Sequence, residues 1–302
     1  MTTEIRRYRP SDLAALSSLI RDPSLAPEFD LLQGPSAIEA WLVDPFHDPQ
    51  LLSLVFVNGE PAGFGGALIL RQLSGTYAIV RLGVIEAHRR RSLATQLLER
   101  VDSGLRERHP EAHELSCSFW LPAPAAEAFV TRRGFQRMRT FWMMERPRGA
   151  VPEPTWPTGI RLQFHDGSER NYRDITAAYN DSFAEHYHSP VTTVEETRAL
   201  FTRPGFRTDG YVLAYRGDTC LGFCRCELHA QRGEIGILGT VEAARGIGLG
   251  RALLRWGVGW LEREGAGRVT LLVDGENENA LRLYRSEGFE VARTRAVFSR
   301  FR

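Results

Sequence analysis

One long-period repeat constrains this chain more than any other feature. The segment RLGVIEAHRRRSLATQLLERV, Arg81 to Val101, returns as ILGTVEAARGIGLGRALLRWG, Ile237 to Gly257, at an offset of 156 positions. Glu86 then falls on Glu242, Arg89 on Arg245, and Leu97-Leu98 on Leu253-Leu254. Further along, Gly134-Phe135 falls on Gly288-Phe289 at an offset of 154. A solenoid needs three or more short repeats, so one long repeat predicts two similar domains. The chain's 302 residues are enough for both. Between the repeats, PRGAVPEPTWP carries Pro147, Pro152, Pro154 and Pro157. Proline fixes φ and removes amide donors, which predicts a semi-rigid linker over 147–158 between domains 1–146 and 159–302.

Each half has the same coarse order. In the second, 159–163 reads as a short strand, followed by helical stretches near 169–184 and 194–203. Residues 211–215 alternate toward the turn Gly217-Asp218, and 220–228 continue as the hairpin partner. Another strand covers 234–241. Leu249, Leu253, Trp256, Trp260 and Leu261 recur at helical spacing over 247–263. A buried-type strand at 269–273 and a short helix at 279–287, stopped by Gly288, complete the half before a final strand. This order predicts an α+β fold, with a mixed central sheet flanked by helices in each half.

Composition excludes several classes. Hydrophobic content of 43% and charged content of 25% suit a chain that buries a full core. A formal net charge of +1 gives no electrostatic case for nucleic acid or an anionic membrane as partner. The first ten residues, MTTEIRRYRP, place charges where a signal peptide needs an apolar run, and no apolar run reaches about 18 residues. Four cysteines, three of them clustered as Cys220, Cys224 and Cys226, do not resemble an extracellular disulfide framework. A cytoplasmic protein is expected. Those three cysteines share a strand face by period, which predicts small buried hydrophobes rather than a metal site.

The sharpest local signal is Arg245-Gly246-Ile247-Gly248-Leu249-Gly250, placed where a strand ends and an amphipathic helix begins. Glycines allow a tight turn and bring bare N–H groups against a ligand, and a helix start adds partial positive charge. Such a turn suits a pyrophosphate, with Arg245 and Arg251 as ionic contacts. A plain strand-to-helix connection has the same composition. A dinucleotide-binding turn does not fit. It follows the first strand of its unit and reads G-x-G-x-x-G, whereas this turn follows a hairpin series and reads R-x-x-G-x-G.

The turn, the helix after it and VDGENENALRLYRSEGF, Val273 to Phe289, together resemble the GNAT superfamily of N-acetyltransferases. The resemblance covers about 140 residues of the second half closely and a similar length of the first half more loosely. It implies acetyl-CoA as co-substrate, no metal, and direct attack by a primary amine of a small molecule. In that family the R-x-x-G-x-G/A turn binds the coenzyme's pyrophosphate, and the end of the preceding strand pairs with the pantetheine arm. Carried over, the binding positions are Leu238, Gly239, Thr240 and Val241, then Arg245, Gly246, Ile247, Gly248, Leu249, Gly250 and Arg251. Asn279 matches a further position of the family's last block and serves as a coenzyme contact or a helix cap.

Tyr284 lies four residues after Ala280, on one helix face, and resembles the family's tyrosine beside the leaving sulfur. A phenol near 10 is a weaker acid than a thiol near 8.5, a gap of about 2 kcal/mol against full proton transfer. The expected role is a hydrogen bond to the sulfur as it leaves. Glu234 opens the strand leading to the turn, where several family members carry a glutamate that takes the amine's proton, directly or through water. Backbone N–H groups near Gly239 and Thr240 are the natural oxyanion donors. Within the tandem members, GEIGILGTVEAARGIGLG is similar to the matching segment of enzymes that acetylate a cysteinyl amine. That likeness lies mostly in coenzyme-binding positions and reports the donor rather than the acceptor. A non-catalytic acyl-CoA-binding sensor or scaffold is the alternative from another class.

The first half departs from this chemistry. At the same offsets Glu234 becomes Ala78, Asn279 becomes Ala125 and Tyr284 becomes Val130. Its turn, Arg89-Arg90-Arg91-Ser92-Leu93-Ala94, has Ser92 in place of Gly248 and Ala94 in place of Gly250. Three arginines still suit phosphates, so Gly83, Val84 and 89–94 are a second set of candidate coenzyme contacts. The expectation is a structural or regulatory first half and a catalytic second half, as a monomer or loose homodimer. His186-Tyr187-His188 is either an exposed loop or part of the acceptor site.

Overall fold

A computed structural model describes residues 2–29, 37–202, 206–229 and 231–302. The chain forms two compact units. Their described parts are the residues up to Met138 with Val297–Arg302, and Arg139–Thr202 with Phe206–Ala296.

In the first unit the order is β1 (Thr3–Arg7), α1 (Leu13–Arg21), α2 (Ala37–Leu42), β2 (Ser53–Val57), β3 (Glu60–Gln72), β4 (Gly75–Val84), α3 (Leu93–Arg108), β5 (Ala112–Leu121) and α4 (Pro124–Thr131). Strands β1 to β4 pair antiparallel in sequence order, while β4 and β5 are parallel across the α3 crossover. β6 (Gln136–Pro147) follows, and from Arg139 onward it belongs to the second unit. The second unit continues with β7 (Ile160–Phe164), α5 (Glu169–Ser182), α6 (Val194–Phe201), β8 (Tyr211–Arg216), β9 (Thr219–His229), β10 (Arg232–Thr240), α7 (Leu249–Arg263), β11 (Arg268–Asp274), α8 (Glu278–Ser286) and the first part of β12 (Glu290–Phe301), which from Val297 onward belongs to the first unit. Here β7 to β10 pair antiparallel in order, and β10 and β11 run parallel across α7. Each unit is thus an α+β fold on a mixed sheet.

The first repeat's last strand does not end the first unit's sheet. Phe141–Pro147 pairs antiparallel along the whole of β11, and Met144 is fully buried in the second unit's core. The structural division at Met138 therefore differs from one drawn at 146, because β6 finds its ladder partner in β11. The proline-rich stretch packs on that same core. Val151 and Trp156 touch it, and the Arg146 guanidinium donates to the Ala150 carbonyl at 2.7 Å while pairing with Glu262 at 2.7 Å.

Helix α7 shows why helical spacing mattered. Leu249, Leu253, Leu254, Val258 and Leu261 are 2% exposed or less and face Cys224, Cys226 and Ile235 of the sheet. Each buried leucine contributes roughly 2 kcal/mol of apolar burial. The helix lies very close to the strands at Gly257, where a Cβ would sit 2.9 Å from the Cys224 sulfur. The cysteines are thus small core residues. Cys220, however, is on the opposite face, among Ile175, Tyr211 and Phe223. Between β8 and β9 the register skips Leu221, and this bulge turns Cys220 away from Cys224 and Cys226. The expectation of one shared face is corrected accordingly. No helix of the described residues is long and apolar enough to cross a membrane.

Candidate active site

The β10–β11 register begins at Arg232↔Arg268 and ends at Ile235↔Leu271, although β10 runs on to Thr240 and β11 to Asp274. The other edge of β10 stays paired with β9 as far as Thr240↔Gly222. Residues 236–240 therefore present main-chain groups toward a gap, with no β11 partner among the described residues. A bulge marks the start of this splay, since Gly236 is skipped between Ile235↔Cys226 and Ile237↔Arg225. Leu238, Gly239 and Thr240 all lie along the open edge. At Gly239 the close approach is real, because a Cβ there would lie 2.7 Å from the Phe223 ring and 3.0 Å from the Ser182 Cβ.

The turn follows at once. Gly246 and Gly248 have φ of 78° and 89°, the left-handed region that side chains disfavour. Gly248 caps α7 without any side-chain hydrogen bond, and its carbonyl accepts the first α7 bond, from the Ala252 N–H. The N–H groups of Leu249, Gly250 and Arg251 consequently lack helical acceptors, which makes an anion cradle with the positive end of the helix dipole. Nothing lies within 4 Å of a Cβ built at Gly246 or Gly248, so both are demanded by conformation rather than space. Gly250 has room for a methyl group, with Thr240 at 3.8 Å.

The arginine side chains of the turn are placed differently from the expectation of phosphate contacts. Arg245 donates to the Ser182 carbonyl at the end of α5, at 3.3 Å. Arg251 pairs with Glu287 and donates to the Ser286 hydroxyl at 3.1 Å. Glu287 also takes two hydrogen bonds from Arg255, at 2.9 and 3.0 Å. Burial pushes the Glu287 carboxyl up, but hydrogen bonds and charge from Arg255 and Arg251 outweigh it and hold the group below its ordinary 4.5. This clamp ties the end of α8 to α7. Because the folded carboxyl is the stronger acid, its contribution is present above the unfolded value and fades as pH falls through the folded one. Glu287→Gln is expected to lower stability by about 1–2 kcal/mol at pH 7, with the difference fading as acid protonates the folded carboxyl below its ordinary range. Thermal melts from neutral to acid pH check it.

Helix α8 carries Tyr284. Asn277, not Asn279, caps this helix, accepting from the Ala280 N–H at 3.1 Å. Asn279 is exposed within the first turn, so the capping reading of that residue is corrected. Tyr284 packs against the second unit's core, 6.1 Å from the Phe289 ring centroid. Burial pushes its phenol up to about 12, with the neighbouring Cys224 adding to the shift. It remains a protonated donor at every physiological pH.

Glu234 stands near the start of β10, directly opposite Glu227 of β9. His229 Nε2 lies 3.6 Å from a carboxylate oxygen of each, and Arg232 is 4.0 Å from Glu234. Arg225, two residues before Glu227, reaches it at 3.0 Å. Sequence reading missed Arg225, Glu227 and His229, whose shared face follows from strand period once the β9–β10 register is known. The α5–α6 connection closes the far end of β11. Arg139 sits over the Tyr187 ring at 5.1 Å and lies 3.9 Å from Asp274, and His186 packs on Phe183. Burial lowers the His186 pKa and raises that of Asp274. His186-Tyr187-His188 is therefore anchored beside the opening rather than projecting as an exposed loop.

The first unit repeats the backbone but not the chemistry. Its β4–β5 register also stops early, at Ile79↔Ser116. Arg90 and Ser92 adopt φ of 63° and 60°, matching Gly246 and Gly248 despite their side chains. Holding L-residues there costs about 1 kcal/mol each. The Arg89 guanidinium is engaged by the carbonyls of Val84 and Ser24, at 3.1 and 2.9 Å, much as Arg245 is by Ser182. Gly83, like Gly239, faces a phenylalanine, with Phe64 2.9 Å from its Cβ position. Along the open part of β5, however, the Glu28 carboxylate accepts from the Trp120 N–H at 3.0 Å. Val130, at the place of Tyr284, is buried and apolar, and the register counterpart of Glu234 is the apolar Ile79 rather than the Ala78 of the sequence offset, because the first unit lacks the bulge at Gly236.

Comparison with known proteins agrees with this geometry. The model of the Acetyltransferase (GNAT) family matches residues 14–135 and again 172–289. The mycothiol acetyltransferase of Salinispora tropica is 31% identical over 296 residues, 92% of this chain and 89% of that protein. The protein of that name in Thermobispora bispora is 36% identical over 175 residues, 55% of this chain and 59% of its own length. With several such relatives the chain thus spans little more than half their length. Among solved structures, a tandem GNAT protein from the clavulanic acid biosynthesis pathway superposes with a TM-score of 0.74 at 14% identity, covering 99% of this chain and 98% of that one. An N-acetyltransferase from Sphaerobacter thermophilus gives 0.73 at 24% identity, covering 99% and 95%. Both likenesses concern the fold.

Proposed function

Because the chain belongs to the GNAT family of acetyltransferases, as a tandem member, we propose that its second unit moves an acetyl group from acetyl-CoA to a primary amine of a small molecule. The observation that carries this reading is the conjunction on one unit of a splayed β10–β11 edge, a glycine turn with unpaired helix-start amides, and Tyr284 on the adjoining helix. The donor fits these residues. Amides of Gly248 to Arg251 hold a diphosphate, the edge from Leu238 to Val241 takes the amide-bearing arm, and the small Gly239 leaves space beside it. When bound, acetyl-CoA supplies an activated acyl thioester. Glu234 accepts the proton of the incoming amine, directly or through water. Main-chain N–H groups at Gly239 and Thr240 stabilise negative charge that develops on the acyl oxygen. Tyr284, protonated, donates a hydrogen bond to the departing sulfur.

A cysteinyl amine is the narrower acceptor reading. It is favoured by mycothiol acetyltransferase relatives that match over 92% and 95% of the chain. A silent sensor is disfavoured by Glu234 and Tyr284, which the second unit keeps where the first has Ile79 and Val130. The decisive assay is thiol release from acetyl-CoA across a panel of amines, including a cysteinyl glycoside, amino acids and polyamines. Amine-dependent release supports transfer. Binding of coenzyme without release for any amine would contradict it.

A further inference from the structure

We propose that Arg225 is a positioning residue that, by neutralising Glu227, keeps the opposing Glu234 ionised and able to take up a proton. The inference rests on the reading of Glu234 as base. Glu227 and Glu234 are direct cross-strand partners, so their side chains share one sheet face at close range. Two uncompensated carboxylates so placed would share a proton. Arg225 prevents this, with its Nε 3.0 Å from Glu227 Oε1. Its guanidinium lies against the bulge that opens the cleft, in space that only a glycine at 236 leaves, since a Cβ there would lie 3.2 Å from both Arg225 Nε and Nη2. The groups facing this cluster are Glu227 and His229 on β9, Arg232 on β10, Tyr211 on β8 and Tyr179 on α5. In the first unit, counting from Gly83↔Phe64 as from Gly239↔Phe223, the matching pair is Ile79 opposite Leu68, within a register that carries no bulge there. The charged set therefore accompanies the proposed chemistry rather than the fold.

The test is a carbon-13 NMR titration of the full chain labelled at glutamate carboxyls, with Glu234 assigned through Glu234→Gln. In Arg225→Gln the Glu234 midpoint is expected to rise by about one pH unit, and in Glu227→Gln to fall by a similar amount. The double variant should return close to wild type, and Arg225→Lys should stay there. The acid limb of kcat/KM for the best amine should follow the midpoints. Should Arg225→Gln not fold, the Glu227 midpoint in wild type, assigned through Glu227→Gln, carries the test: a midpoint below the ordinary glutamate range supports neutralisation by Arg225, and one at or above that range overturns it. Midpoints that stay within a few tenths of a unit in the single variants would overturn the proposal. Full turnover in Glu234→Gln would instead remove the base assignment, leaving the titration result intact.

Discussion

Replacing Tyr284 by phenylalanine is expected to lower kcat about 100- to 1,000-fold while leaving the KM for acetyl-CoA nearly unchanged. Phenylalanine fills the same space against Phe289 and the core, so the loss reports the hydroxyl alone. With the phenol near 12 and a free thiol near 8.5, full proton transfer would run uphill by about 5 kcal/mol. A hydrogen bond to the thiolate carries no such penalty and still lowers the barrier to its departure. Stopped-flow thiol release separates this step from coenzyme binding. An equal loss from substituting Val130 would mean that the division of labour between the units is wrong.

Glu234→Gln is the second large effect, an expected drop of about 100- to 10,000-fold in kcat/KM at neutral pH. Its pH dependence is the informative part. An amine arrives protonated at neutral pH and needs a base, but above its own pKa it arrives neutral. The deficit of the variant should therefore shrink steadily as pH rises through that value. A constant deficit across the range would point to a role in binding the acceptor.

The parts of the molecule legible in the sequence were those fixed by local rules. Helix spacing located α7 through Leu249, Leu253 and Leu261, and the alternate glycines at 246 and 248 located the turn that needs left-handed backbone. Period-two counting failed where a bulge intervenes. The residue inserted at Leu221 moved Cys220 to the other face, and the one at Gly236 put Glu234 opposite Glu227, on the face of Arg225. Side-chain partners were equally hidden. Arg245 and Arg251 look like phosphate ligands in a linear motif, yet Ser182 and Glu287, far away in sequence, engage them in the fold. Asn277 and Asn279 could be distinguished only by the dihedral geometry at the start of α8. In the first unit, Ser92 in place of Gly248 predicted an altered turn. The backbone nonetheless holds the same left-handed conformation, because the surrounding repeat imposes it.

Acetyl transfer by the second unit, as proposed, depends on bare amides at the start of α7 gripping a diphosphate. Titration calorimetry of coenzyme A into the intact protein and into Gly248→Val tests this most directly. Wild type should bind through the second unit, and the variant should lose that site, because valine is strained at a φ of 89° and its side chain fills the approach to the amides. Absence of any heat with wild type, or the same affinity and stoichiometry in both proteins, would contradict it.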